Sequence, residues 1–291
     1  MRKLLVAKEL SWLITGMFVM VCSTFAQESQ SLQEPQKGQE VRQRQLWDSN
    51  LLSKRPAGKD KQLPKTQDDA LVGVTLWRFR LSEPSDSPGV RSLIHEDEQT
   101  RQWTPERITA DTPLHEGEKV RISIETARTG YLYVIDCDEY ADGNQSDSYL
   151  IFPTLLIRGG DNRVTAGTVV EIPASDDKPP YFKVKRSRPD QTDELLTILV
   201  SPKPIEQVQV GRQRLRVSAE QVAAWKREWK TATYRLDASG QAGKPYTLAE
   251  KMAANGDKML TQDDPVPQTI YLVEPRPGKP LLVEIPLLIS K

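Results

Sequence analysis

A run of oxygen-bearing side chains between positions 136 and 147 has the composition of a calcium loop. Hard cations need several oxygen ligands from a tight turn, and this run supplies Asp136, Asp138, Glu139, Asp142, Asn144 and Asp147. If Gly143 is aligned with the glycine of an EF-hand loop, Tyr140 and Tyr149 occupy positions that must hold ligands. We therefore favour a solvated hairpin tip and predict no metal site. A calcium titration by calorimetry would distinguish the two.

Cys137 and His115 are the residue types of a cysteine nucleophile and its base. Neither residue lies in a catalytic signature, and we expect Cys137 where a strand frays into the acidic turn. Carboxylates beside a thiol raise its pKa and make it a poorer nucleophile at neutral pH. We therefore interpret Cys137 as a structural thiol.

A Ser/His/Asp arrangement would have to use His95 or His115, the two histidines of the chain. His95 precedes Glu96, Asp97 and Glu98 in an expected polar loop, and the chain has no Gly-x-Ser-x-Gly elbow. A solvent-exposed histidine is the better account. The sequence therefore predicts no catalytic, cofactor-binding or metal-binding residue.

Trp225 and Trp229 lie four residues apart, so a helix would place both indoles on one face. Such a pair could present an aromatic platform to a sugar or a peptide. Packing of that face onto the rest of the domain is the interpretation that we favour, because amphipathic helices usually bury their apolar stripe.

The elements that position these residues are mostly short apolar runs separated by turn formers. Alternation or continuous apolarity predicts strands at 72–81, 120–124, 131–135, 149–152, 168–172, 181–185, 195–200, 269–273 and 281–289. The strand at 120–124 reads as half-buried, with Arg121, Ser123 and Glu125 on its solvent side. The runs at 131–135 and 195–200 are apolar throughout, so we expect both to be central in their sheet.

Two capping boxes interrupt the strand pattern. Ser218 to Gln221 and Thr247 to Glu250 each match the start of a helix, and Gly256 is placed to end the second. The pattern predicts an all-β fold: an antiparallel β-sandwich, Ig-like or jelly-roll-like, with a small helical insertion at about 218–256. We assign residues 70–291 to this single domain.

The first 69 residues have a different composition. Residues 1–26 combine basic Arg2, Lys3 and Lys8 with an apolar stretch and a small residue at Ala26, which predicts a cleaved Sec-type signal peptide. The alternative is an uncleaved N-terminal membrane anchor. Residues 27–69 contain nine glutamines among polar residues, and we predict a disordered linker because such a stretch buries too little apolar surface to fold.

Charge and cysteine content narrow the function further. The chain has 40 basic and 40 acidic residues. It lacks the net positive charge of nucleic-acid-binding proteins, so we predict no nucleic-acid partner. Of the two cysteines, Cys22 lies in the predicted leader, so an intramolecular disulfide is excluded after cleavage. We also expect no stable membrane span in the processed chain.

Between about 113 and 204 the sequence resembles a bacterial domain-of-unknown-function family, number 4384. The resemblance rests on PLHEGEKVR at 113–121, GYLYVI at 130–135, DG at 142–143, LIFP at 150–153, NRV at 162–164, AG at 166–167, EIP at 171–173 and the run 196–202. It implies a β fold and an exported or envelope-associated accessory role. It implies no catalytic residue.

These observations favour an exported, non-catalytic accessory or binding module of the bacterial cell envelope, periplasmic or secreted. Its expected partner is another envelope or extracellular protein or a glycan, and no cofactor is expected. Two alternatives stay open: a hydrolase-type enzyme whose site is assembled across loops, and a purely structural envelope component.

Overall fold

The structure is a computed structural model that describes residues 70–96, 98–254, 260–261 and 264–290. All of them belong to the second of the two units into which the chain divides, Gln39–Lys291. The predicted leader at 1–26, the predicted linker at 27–69 and Gly256 lie outside the described residues.

The described residues form mainly strands, most of them where apolar residues alternate or follow one another without interruption. In chain order the strands are β1 (Leu71–Leu81), β2 (Ser92–Glu96), β3 (Gln99–Ile108), β4 (Lys119–Thr126), β5 (Gly130–Tyr140), β6 (Ser148–Phe152), β7 (Arg163–Val164), β8 (Val169–Ile172), β9 (Phe182–Lys183), β10 (Gln191–Ser201), β11 (Leu215–Val217), β12 (Thr233–Asp237), β13 (Thr269–Val273) and β14 (Leu281–Leu288). Helix α1 (Ala219–Trp229) precedes β12, and helix α2 (Leu248–Ala254) follows it.

Strand β1 is the centre of the larger sheet. Along one edge, residues 72–78 of β1 pair with β4. Along the other edge, residues 71–74 pair with β13 and residues 76–81 pair with β3. Strands β8 and β9 extend the sheet beyond β4, and β12 and β2 form its outer edges. All of these pairings are antiparallel.

The smaller sheet has the order β11-β6-β5-β10-β14, and β7 also pairs with β5. Strands β5 and β10 are therefore central, as their continuous apolar runs predict. Inward-facing side chains of both sheets form the main core, among them Val72, Val74, Ile122, Leu132, Val134, Leu196, Ile198 and Val283. Burial of each such side chain contributes roughly 1.5–3 kcal/mol. The predicted antiparallel β-sandwich is confirmed.

Helix α1 covers the outer face of the smaller sheet. Its start is set by Ser218, whose hydroxyl accepts a hydrogen bond from the Gln221 amide, as the capping box predicts. Val222 and Trp225 pack against outward-facing residues of the sheet such as Tyr133 and Leu199. In the described part of the chain, no helix is long and apolar enough to cross a membrane.

Five strands lie where the sequence did not predict them, and two of these, β7 and β11, have only two and three residues. Strands β2 and β3 form a hairpin in a segment without clear alternation, and β12 lies inside the expected helical insertion, where it pairs with β13. These are edge or near-edge strands, which need only one apolar face. In addition β5 extends beyond the predicted end at 135 as far as Tyr140, and the turn at Asp142 and Gly143 follows it.

Candidate functional site

The outer face of the larger sheet carries charged residues that are buried. Arg121 and Glu171 are 1% and 2% exposed, and Glu125 and Arg107 are 2% and 4% exposed. The expectation that Arg121 and Glu125 face solvent on a half-buried strand is wrong, because a later segment of the chain covers them. Burying a charge is unfavourable unless it is paired and hydrogen-bonded, so the partners of these residues define the site.

The cover begins with residues 243–246, which lie alongside β3. The Arg107 amide donates to the Lys244 carbonyl at 2.9 Å, and the Tyr246 amide donates to the Pro105 carbonyl at 2.7 Å. The Tyr246 ring packs edge-on against Trp77 with its centroid 4.9 Å away. Helix α2 follows directly, so its position on the sheet is fixed from its first turn.

A buried ion pair joins α2 to β3. Arg107 donates from Nε and Nη2 to Oε1 of Glu250, at 2.9 and 2.6 Å. The other oxygen of Glu250 accepts from the amide and the hydroxyl of Thr247, at 2.6 and 2.7 Å. The predicted capping box is thus present, and its glutamate has a second role as the partner of a buried arginine.

A second ion pair holds Tyr246 and Arg121 in place. Arg121 Nη1 donates to Oε2 of Glu171 at 3.2 Å, and the Tyr246 hydroxyl donates to Oε1 at 2.7 Å. Arg121 also donates from Nε and Nη2 to the Pro180 carbonyl. Burial raises the pKa of Glu171, and burial and the neighbouring Glu171 raise the pKa of Tyr246.

A cleft of about 240 Å³ opens between the start of β2, helix α2 and the loop that follows β8. Its polar lining consists of Arg91, Ser92, Arg121, Ser175, Tyr246 and Lys251. Glu171 is not part of the lining, because Arg121 and Tyr246 lie in front of it. The cleft therefore presents side chains whose positions are fixed, Arg121 and Tyr246 among them, while the carboxylate that positions both stays enclosed.

A smaller cavity of about 40 Å³ lies on the other side of Tyr246 and is lined by Arg107, Glu250 and Trp77. Arg107 Nη1 is buried there without a hydrogen-bond partner among the described residues. A cavity of this size holds one or two water molecules, which is how such a buried donor is usually satisfied.

The acidic residues between 136 and 147, for which we favoured a hairpin tip over a calcium loop, are distributed over different settings. Asp136, Asp138 and Glu139 belong to strand β5 rather than to a hairpin tip. Asp142 lies in the turn and contacts Arg188, and Asp147 contacts Arg216. Over the described ranges, no group of three or more histidine, cysteine or acidic side chains could hold a metal ion.

Asp136 and Glu194 form a carboxyl pair across strands β5 and β10. Burial is the largest cause that raises the pKa of each carboxyl. Asp136 raises the pKa of Glu194 further, whereas the hydrogen bond from Glu194 lowers that of Asp136. Arg214 approaches Asp136 no closer than 3.9 Å. At least one of the two carboxyls therefore keeps its proton at pH values where an exposed carboxyl has lost it.

Cys137 and His115 occupy separate parts of the sandwich. The expectation that Cys137 lies at a fraying strand end is wrong: it is in the body of β5, 7% exposed, with Sγ 3.4 Å from the Ser146 carbonyl. Burial raises its pKa. His115 is exposed in the turn before β4, where its amide donates to Glu118.

His95 is exposed, as expected, but lies in strand β2 rather than in a loop. Its Nδ1 is 2.9 Å from the hydroxyl of Thr100 on β3. The pair is a cross-strand contact on the surface of the hairpin.

Trp225 and Trp229 pack onto the smaller sheet, as we favoured. Their rings are stacked, with centroids 5.6 Å apart and planes at 15°. Trp229 also borders a depression of about 300 Å³, where the charged residues Glu228 and Lys279 are paired with each other.

Sequence reasoning missed the cleft residues. Tyr246 and Lys251 lie in the helical insertion, far along the chain from Arg91 and Arg121. The available signal was Arg121, a basic residue in a strand with apolar neighbours on the opposite face. Alternation alone assigns such a residue to solvent.

The described fold is that of an antiparallel β-sandwich with one face closed by a charged cover. Residues 114–204 match the model of a family described as a domain of unknown function, DUF4384. That match supports the resemblance over about a third of the chain and includes Arg121, Glu171 and Ser175. No curated protein matches the chain, and no solved structure matches it.

Proposed function

We propose that the chain is an exported, non-catalytic binding module of the bacterial cell envelope and that it holds its partner in the cleft between β2 and α2. The single observation that carries the proposal is the cleft itself. It has a volume of about 240 Å³, and two residues of its lining, Arg121 and Tyr246, are held in place by a buried carboxylate.

Pre-organisation is the physical reason to assign binding to this cleft. A ligand that meets side chains already fixed in position does not have to offset the loss of their rotational freedom. Arg121 uses three nitrogens to hold its own position, and helix α2, which carries Lys251, is anchored through Glu250. The walls of the cleft are therefore rigid before any ligand arrives.

The settings of the reactive side chains support a non-catalytic role. General acid–base catalysis requires the titrating group within hydrogen-bond reach of the substrate. Glu171, whose raised pKa would suit a general acid, lies behind Arg121 and Tyr246. Cys137 is enclosed on the far sheet.

Export is supported by the sequence pattern of residues 1–26 and by the family resemblance, and a periplasmic or secreted location follows from it. An N-terminal anchor in the membrane is the alternative. Fractionation of cells that express the full chain, with mass spectrometry of its N-terminus, decides between them. A start near Gln27 in the soluble exported fraction is expected, and a full-length chain in the cytoplasm would refute export.

Site-specific photocrosslinking tests the cleft as the partner site. Leu93 borders the cleft and is 70% exposed, whereas Tyr234 lies on the opposite edge strand of the same sheet and is 64% exposed. A photoreactive amino acid at position 93 should give a discrete envelope adduct, and the same residue at position 234 should not. The adduct should disappear when Ser175→Leu fills the cleft. Equal labelling at both positions, or labelling that survives Ser175→Leu, would remove the proposal.

A further inference from the structure

We infer that the cleft is a receptor for an oxyanion, a phosphate or carboxylate group carried by the partner. The inference rests on the proposed function, because it takes the cleft as the binding site and specifies the chemistry that the cleft accepts. The charge, the free donors and the size of the cleft carry it.

The charges that line the cleft are all positive. Arg91, Arg121 and Lys251 contribute to the lining, and no acidic residue of the described chain does. Glu171 balances Arg121. Among described residues, the bonds of Arg91 and Lys251 go to neutral oxygens: Lys251 donates to the Gly89 carbonyl, and Arg91 to backbone carbonyls and to a glutamine. The cleft thus has cationic groups without a carboxylate partner in this part of the molecule.

These cations still have donors to offer. A lysine ammonium has three N–H bonds, of which the described contacts of Lys251 use one, at 2.7 Å to the Gly89 carbonyl. Arg91 Nε is buried without a hydrogen-bond partner among the described residues. Buried donors are normally satisfied, and a charged acceptor makes the strongest bond to a cationic donor.

The size of the cleft suits a small anionic group with a few attached atoms. At about 30 Å³ per water molecule, the volume of about 240 Å³ corresponds to roughly eight waters. Leu93 and Pro180 provide apolar wall for the carbon atoms of the ligand. The same side chains can donate hydrogen bonds to a tetrahedral phosphate or to a planar carboxylate. The feature that these two ligands share is a negatively charged oxygen acceptor.

The test is a titration of the full chain after removal of its leader, with inorganic phosphate and separately with acetate, at constant ionic strength set by sodium chloride. Backbone amide NMR signals of residues 89–93 and 246–251 report binding. We expect saturable shifts in these residues. Tighter phosphate binding would identify a phosphate group as the ligand, and tighter acetate binding would identify a carboxylate.

Lys251→Gln should weaken the anion affinity about tenfold, the usual effect of one charge-assisted hydrogen bond. Lys203→Gln is the matched control, because Lys203 is exposed and follows strand β10 of the other sheet. Both variants remove an outward-reaching lysine without touching a buried ion pair, and amide spectra verify that both fold.

Two results would overturn the inference: no saturable shift with either anion at the cleft, or equal weakening by Lys251→Gln and Lys203→Gln. The outcome is separable from that of the proposed function. A specific adduct at position 93 without anion binding would keep the module and remove the oxyanion. Anion binding without an adduct would keep the oxyanion site and remove the envelope partner.

Discussion

Replacement of Glu250 by alanine should destabilise the domain far more than an ordinary surface change. One carboxylate oxygen accepts two bonds from Arg107, and the other accepts two from Thr247. The substitution therefore removes a buried ion pair and a helix cap at once. It also leaves Arg107, which is 4% exposed, with its charge unpaired.

The expected loss follows from these contacts. Removing one partner of a buried ion pair costs about 3–5 kcal/mol, because the remaining charge stays desolvated. Loss of the hydrogen bonds that Glu250 makes to Thr247 at the start of α2 destabilises the domain by about 1 kcal/mol more. We expect the free energy of unfolding of Glu250→Ala to fall by about 3–5 kcal/mol in urea denaturation, since the two effects share one side chain and do not add fully.

A double replacement separates charge from packing. Arg107→Leu together with Glu250→Leu removes both charges and keeps apolar volume, and such replacements are often neutral. The pair should recover most of the stability that Glu250→Ala loses. Glu220→Ala is the matched control, because Glu220 is an exposed glutamate in the first turn of α1, and it should cost less than about 1 kcal/mol.

The reasoning would be refuted if Glu250→Ala cost no more than Glu220→Ala. It would also be refuted if the double leucine replacement were as unstable as the single alanine. In either case the buried charges would not be what fastens α2 to the sheet, and the rigidity of the cleft would need another cause.

Three further predictions concern groups outside the cleft. Because burial raises the pKa of Asp136 to about 6 and raises that of Glu194, the folded chain holds protons that the unfolded chain releases. The contribution of this pair to stability should therefore be present below about pH 4 and be lost as pH rises through about 6, and the urea midpoint should fall less over this range in Glu194→Gln than in the unmodified chain. Trp225→Ala should cost about 3–5 kcal/mol and Trp229→Ala clearly less, because Trp229 is only partly buried; equal losses in calorimetry would contradict this packing. Cys137 should react with iodoacetamide much more slowly than free cysteine until urea unfolds the chain, and rapid labelling of the native protein would show that its thiol is accessible.

The central part of the fold could be predicted from the sequence, because its strands have patterns that only one environment satisfies. The continuous apolar runs in β5 and β10 require burial on both faces, and both strands are central. Ser218 in the capping box predicts the start of α1. The four-residue spacing of Trp225 and Trp229 predicts the face by which that helix packs on the smaller sheet.

The cover of the larger sheet could not be predicted in the same way. A polar residue in an alternating strand indicates a face away from the core, but it does not say whether another segment lies on that face. Arg121 is such a residue, and its covering partners Tyr246 and Pro180 come from two distant stretches of chain. The cleft is a product of tertiary contacts between segments that carry no shared local pattern.

Strand β1 joins the residues of the family match to a strand that lies outside it. It pairs with β4 on one edge and with β13 on the other, and in the smaller sheet β14 pairs along β10. The matched residues 114–204 contain β4 and β10 but neither β1, β13 nor β14. A truncation to those limits would expose two long hydrogen-bonding edges, which invite intermolecular association. The family match is thus shorter than the part of the chain that must fold as one unit. We expect the boundaries of a stable fragment to lie near strands β1 and β14.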